Sequence, residues 1–231
     1  MHEPIHGVRM TTSTGTSEDG KYYGHVRSEL FAFVPAETKR LLDVGCAEGT
    51  FGAGIMKARP GIEVWGVEPV QKAATVAEGR LRRVICGPAE AAIEQLPDGY
   101  FDCVTFNDVL EHMVDPWSML RSIQSKLAPD GVIVASIPNL RHFPVLKSLM
   151  FDGDFRYVEE GILDRTHLRF FTKKSMQRLF GDCGLSVTRM EGLNWQALPG
   201  FMAIINRLSG RALDDMYYLQ FGIQARPLQP A

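Results

Sequence analysis

The chain has no apolar run long enough to span a bilayer, and its N-terminus has neither a basic n-region nor an apolar h-region. No membrane partner is therefore expected, and the expected location is the cytoplasm. Charge of either sign is scarcely in excess: 25 Lys and Arg against 27 Asp and Glu leave −2. That excludes a nucleic-acid partner drawn by bulk electrostatics, and the local cluster Arg80, Arg82 and Arg83 reads as solvated surface. The four cysteines, Cys46, Cys86, Cys103 and Cys183, show no C-x-x-C spacing. Buried free thiols in a reducing compartment are the simplest account of them. No internal repeats or low-complexity tracts are present. With 231 residues and 45% hydrophobic composition, a single domain with one sizeable core is the default.

Most informative is Leu41 to Gly52, LLDVGCAEGTFG. It reads as a buried strand, a turn of small residues and the start of a helix. Gly45, Ala47 and Gly49 let main-chain groups approach a ligand with no side chain in the way. A second strand, Ile62 to Val67, ends at Glu68, about the 20-residue interval that sets an acid beside a bound ribose. Together the two point to a nucleoside-bearing small molecule at the carboxyl end of a parallel sheet. The order G-x-A-x-G-x-x-G departs from the dinucleotide fingerprint, and Glu48 inside the loop would repel a pyrophosphate. A phosphate-free ligand with an amino acid and a sulfonium cation meets no such penalty, which fits S-adenosyl-L-methionine. Glu68 would accept both ribose hydroxyls, each such bond worth roughly 1.5–3 kcal/mol.

Residues 1–20 read as a flexible polar arm and 21–231 as one domain. A helical pattern over Lys21 to Val34 stops at Pro35. Alternation follows: strand 40–44, helix 50–58, strand 62–67, helix 70–79, strand 82–86, helix 88–95, strand 101–106. Pro116 starts a helix to about Leu127, Pro129-Asp130-Gly131 is a turn, and strand 132–137 comes next. Residues 138–172 break the alternation and form a lid-like insertion. A helix at 173–183, a strand at Leu185–Met190, an apolar piece near Phe201–Leu208 and a strand at Met216–Gln224 complete the chain. The expected class is α/β: a Rossmann-like, mostly parallel sheet with helices on both faces and right-handed crossovers.

These segments resemble class I S-adenosylmethionine-dependent methyltransferases from about residue 21 onward. The matching pieces are LLDVGCAEG from Leu41, GVEP ending at Pro69, LPDGYFDCV from Leu96, DVLEHMVDP from Asp108, LAPDGVIVASIPN from Leu127 and DRTHLRFFT from Asp164. The last, with GDFRY from Gly153, is similar to a subgroup associated with small-molecule and saccharide methylation. The resemblance implies seven strands with the final one antiparallel. It also implies that Asp43, Gly45, Cys46 and Ala47 line the methionine part of the cofactor, while Glu68 holds the ribose and Pro69 lies against the adenine. Ala89 and Glu90 would contact the adenine, and Asn107 and Asp108 would end the fourth strand beside the reacting methyl. Tyr22, Tyr23 and Arg27 fall where a helix ahead of the sheet closes over the cofactor, with Arg27 suited to its carboxylate. Two departures stand out: Ala47 replaces a usual glycine, harmless unless φ is positive there, and Pro88 replaces an acid that often binds the adenine amino group.

If the acceptor is a hydroxyl, it must lose a proton, and two histidines are candidates for taking it. His112 is on a face with Asp108 if Asp108–His112 turns helically; His167 lies in the insertion. For each, a purely structural hydrogen bond is the competing account. No metal is assigned, although Asp108, Glu111, His112 and His167 include the donors of an E-x-x-E-H-type site with aspartate in the first place. Phe143, Phe151, Phe155, Arg156, Tyr157, Phe170 and Phe171 either form a stacking wall for the acceptor or simply the core of the insertion. Arg141, Arg165 or Arg169 could hold an acidic group on it. No N/D-P-P-Y/F/W motif follows the fourth strand, and Ile137-Pro138-Asn139 stands after the fifth. The expectation is therefore transfer to oxygen of a saccharide or specialised metabolite. N- or C-methylation, or a non-catalytic cofactor-binding scaffold, are the alternatives, and a homodimer is left open.

Overall fold

The computed structural model describes residues 27–228. Their seven strands form one sheet in the order β3-β2-β1-β4-β5-β7-β6. The parallel part is β1 (Arg40–Val44), β2 (Glu63–Glu68), β3 (Arg83–Cys86), β4 (Phe101–Asn107) and β5 (Leu127–Pro138). β7 (Tyr218–Pro227) runs antiparallel to both β5 and β6 (Leu185–Trp195). The expected doubly covered sheet is borne out. Strand order reverses between β1 and β4, the place where an open α/β sheet leaves a crevice at its carboxyl ends.

Alternation along the strands supplies two cores. Leu42, Val44, Val104, Phe106, Ile133 and Ala135 pack on one face, and Leu41, Cys103, Val132 and Val134 on the other. Helix α1 (Thr50–Ala58) seals the second face with Phe51 and Ile55; α6 (Lys173–Gly181) seals the first with Met176, Leu179 and Phe180. Between them in sequence lie α2 (Gln71–Glu78), α3 (Ala89–Ala92), α4 (Pro116–Ser122) and α5 (Phe143–Lys147). Local chemistry sets their ends. Pro116 opens α4 and Asp115 accepts from Ser118 N–H at 3.0 Å, while Thr172 and Ser175 form a capping box on α6.

Several boundaries differ from expectation. Pro129-Asp130-Gly131 does not precede β5 but lies inside it, where the register with β4 shifts between Phe101 and Cys103. β6 extends to Trp195 because β7 pairs with it along nearly its whole length. The helical pattern ending at Pro35 yields only a 3-10 turn, Ser28–Ala32, among the described residues; the arm 1–20 lies outside them. The insertion holds α5 and a π-helical turn, Ser148–Asp152, and α7 (Gly200–Leu208) follows β6. Of the cysteines, three are buried and free, but Cys86 is exposed. No helix among the described residues is long and apolar enough to cross a membrane.

Candidate active site

The turn after β1 is stapled to the end of β2. Gly45 and Cys46 N–H donate to the Val67 carbonyl at 2.8 and 3.1 Å, and Ala47 N–H donates to Glu68 Oε2 at 2.8 Å. Gly45, Ala47 and Gly49 all have positive φ, at 71°, 49° and 75°. Glycine adopts this freely, whereas in Ala47 it costs roughly 1–2 kcal/mol. The condition under which alanine at 47 would matter is therefore met. Glu48 is engaged by Arg80, whose guanidinium reaches its carboxylate at 3.6 Å and its carbonyl at 2.9 Å. Its charge is partly compensated, so repulsion of a pyrophosphate is a weaker argument than the sequence suggests.

Glu68 is buried, and its Oε1 accepts from Val70 N–H at 2.9 Å. Each carboxylate oxygen thus has one backbone partner and acceptor capacity to spare for a hydroxyl. Beyond it Pro69 and Val70 are exposed as an apolar shelf, and Ala89, half-buried, and Glu90, exposed, open the first turn of α3. Asp43 is buried at the end of β1 and accepts from Thr105 Oγ1 at 2.7 Å and Asn107 Nδ2 at 3.3 Å. Burial pushes its carboxyl up to about 7; the Thr105 bond opposes that, and Glu68 adds repulsion. Asn107 Oδ1 is buried without a partner among the described residues. Spare acceptors on Glu68, an orphaned Asn107 oxygen and a side-chain-poor loop fit an adenosyl ligand bearing hydroxyl and ammonium donors. Cys46 is buried and its thiol is pushed up by that burial and by Asp43 and Glu68, so it is no nucleophile.

Asp108 follows β4 in a left-handed conformation, φ 55°. Its Oδ1 accepts from Ser136 Oγ at 2.8 Å and its Oδ2 from Arg27 Nη1. Arg27 also donates to Glu29 at 3.0 Å. The arginine expected on the cofactor carboxylate is thus held here by the chain's own acids. Tyr22 and Tyr23 lie outside the described residues.

After Asp108, Leu110–His112 makes a 3-10 turn rather than an α-helical one, so the shared face expected for Asp108 and His112 does not form. Glu111 turns inward instead. It is buried, and neither carboxylate oxygen has a partner among the described residues. Burial, then the charge of Asp108, pushes its carboxyl well above the usual range. Its carbonyl accepts Leu168 and Arg169 N–H at 2.8 and 3.0 Å, which docks the insertion on the β4 turn and brings His167 to His112, ring centroids 4.6 Å apart. His167 Nδ1 lies 2.9 Å from the Ile162 carbonyl and His112 Nδ1 3.2 Å from that of Thr166. A carbonyl only accepts, so both rings carry a proton on Nδ1, and in a neutral ring Nε2 is the nitrogen that keeps a lone pair. Burial, and then His167, holds His112 below the usual imidazole range. Glu111, His112 and His167 offer ligand atoms all within 4.8 Å of one another; Asp108 is not among them. Glu111 is the residue that motif reading left without a role of its own, and only the D-x-x-E-H spacing pointed to it.

The glycine-bearing turn after β1, the acid closing β2 and the reversed final strand together define a class I S-adenosylmethionine-dependent methyltransferase. Residues 17–190 match the model of the methyltransferase domain family, and the chain belongs to that family, with S-adenosyl-L-methionine as methyl donor. It is similar to the ubiquinone biosynthesis O-methyltransferase of Aeromonas salmonicida, 30% identical over 193 residues, covering 79% of this chain and 76% of that one. A S-adenosylmethionine-dependent methyltransferase structure from Archaeoglobus fulgidus superposes with a TM-score of 0.63 at 21% identity, covering 87% and 92% of the two chains. The 4+2 cyclase SpnF shares the fold at a TM-score of 0.60 and 17% identity, covering 87% of this chain and 80% of its own, so the fold alone does not name a reaction.

Proposed function

We propose that this methyltransferase acts on a hydroxyl oxygen of a small-molecule acceptor, a saccharide or specialised metabolite, which Glu111, His112 and His167 bind and relieve of its proton. The observation that carries this is the buried carboxyl of Glu111, without a hydrogen-bond partner among the described residues, beside two imidazoles whose Nδ1 atoms are held by carbonyls. Such a group is costly to a fold and is kept where chemistry uses it. The bound donor supplies a methyl on a carbon that already carries a good leaving group. What the protein adds is alignment, for which near-attack positioning supplies roughly 7–11 kcal/mol, and removal of the acceptor proton, worth about 10²–10⁴-fold. A free amine acceptor would depend less on such a base. The similarity to the Aeromonas O-methyltransferase also favours oxygen.

The same donors support a second reading, a divalent cation that binds the acceptor oxygen and lowers its pKa, because metal-ligating histidines present one nitrogen while the other is fixed by a carbonyl. Transfer of radiolabelled methyl to an acceptor panel tests both. His167→Gln and Glu111→Gln should abolish transfer while S-adenosylhomocysteine still binds; full transfer in both variants would overturn the assignment. Undiminished turnover after chelation and dialysis would leave the base reading and remove the metal.

A further inference from the structure

A cavity of about 640 Å³ opens beside His167, lined by Tyr157, Arg165, His167, Leu168 and Phe170. It is built entirely from the insertion. Tyr157 and Phe170 both pack edgewise on Phe155, ring centroids 5.5 and 5.3 Å away, and Phe170 reaches His167 at 6.4 Å. An aromatic wall therefore leads from solvent to the imidazoles, and Tyr157 remains 46% exposed in it. Rings left open inside a concavity are surface on which a ring-shaped ligand gains burial.

Among the described residues lining this cavity, one is an arginine. Arg141 is engaged by Asp215 at 3.1 Å, and Arg169 donates to the Val114 carbonyl at 2.6 Å while lying over the Trp117 ring. Both guanidiniums are thereby committed to the fold. Arg165 differs: it lines the cavity, and its partner is Glu159, 3.0 Å away, both side chains largely in solvent. Exposed pairs of this kind hold by at most about 1 kcal/mol, so Glu159 is readily exchanged for another carboxylate. A dianionic phosphate suits the place poorly, since one arginine would face it together with Glu159 and the buried Asp164. A single carboxylate matches the guanidinium fork in charge and geometry.

We propose that the Tyr157–Arg165–Phe170 cavity is the acceptor-recognition subsite and selects a hydroxylated ring bearing a carboxylate. Arg165 exchanges Glu159 for the ligand's carboxylate, and the rings pack against its face. The inference rests on the reading of Glu111, His112 and His167 as the place where the acceptor is bound, and it adds the acceptor's class.

Calorimetry on the full chain saturated with S-adenosylhomocysteine tests it with two matched pairs, glucuronate against glucose and 3-hydroxybenzoate against phenol. At least one acid should bind tenfold or more tighter than its neutral partner, and the pair that does so tells a sugar acid from an aromatic one. Arg165→Met should erase that preference, and Glu159→Gln should enlarge it severalfold. A preference below tenfold in both pairs, undetectable binding of both acids, or a preference that survives Arg165→Met overturns the proposal. Binding of S-adenosylhomocysteine in the same samples reports the donor site separately, so failure of the carboxylate subsite is distinguishable from failure of the hydroxyl-activation reading, which the Glu111→Gln and His167→Gln transfer assays judge.

Discussion

Replacing Glu111 by methionine should make the protein more stable and unable to transfer methyl to a hydroxyl. Both carboxylate oxygens of Glu111 are buried without partners among the described residues. A buried polar group left unsatisfied costs about 1–3 kcal/mol, and an unbranched apolar side chain of similar volume removes that cost. The ties that dock the insertion survive, since Leu168 and Arg169 donate to the main-chain carbonyl of residue 111 and not to its side chain. For a domain of this size each kcal/mol moves the melting temperature by about 2–4 °C, so Glu111→Met should melt roughly 2–12 °C higher. The melt is run with chelator present, so that no bound cation contributes to the wild type. Glu111→Gln is the control: it keeps the volume and a polar group in the buried site, and a smaller gain is expected than for Glu111→Met. A structural carboxyl would behave in the opposite way. A lower melting temperature for Glu111→Met, or transfer that persists in it, refutes the reasoning.

Three further outcomes follow from residues of the proposed donor site. Glu68→Ala should weaken S-adenosylhomocysteine binding by at least tenfold, because hydrogen bonds from hydroxyls to a charged acceptor contribute roughly 1.5–3 kcal/mol each; a change below threefold in calorimetry would place the ribose elsewhere. Asp43, raised from 3.8 to about 7 by burial, favours its protonated form in the folded state. Its contribution to stability is therefore full below pH 4 and lost as pH rises to about 7, a swing on the order of 4 kcal/mol. Urea denaturation of the cofactor-free protein should show this fall against an Asp43→Asn variant that lacks it, and parallel pH profiles for the two would contradict the burial argument. Ala47→Gly relieves a left-handed alanine at φ 49° against the extra flexibility of unfolded glycine, so stability should rise by up to about 1 kcal/mol; a loss would mean that the methyl group packs usefully.

The strand, turn and helix that frame the proposed donor site were legible in the residues alone. Strand 40–44, helix 50–58 and the acid at Glu68 are as local periodicity and turn chemistry place them, because a buried parallel strand, a small-residue turn and an amphipathic helix are written in consecutive residues. Residues joined only through packing were not legible. Thr105, five strand residues into β4, reaches Asp43 on β1 through sheet register, and Arg27 finds Asp108 across 81 positions. That the D-x-x-E-H turn would send Asp108 outward to Arg27 and Glu111 inward depended on a left-handed φ at Asp108, which residue type permits but does not require. Among the arginines of the insertion, tertiary contacts alone set Arg141 and Arg169 to serve the fold while Arg165 faces a cavity. Short-range patterns report how a segment folds against solvent; what a charged side chain meets on a distant element is set by how the layers close around it.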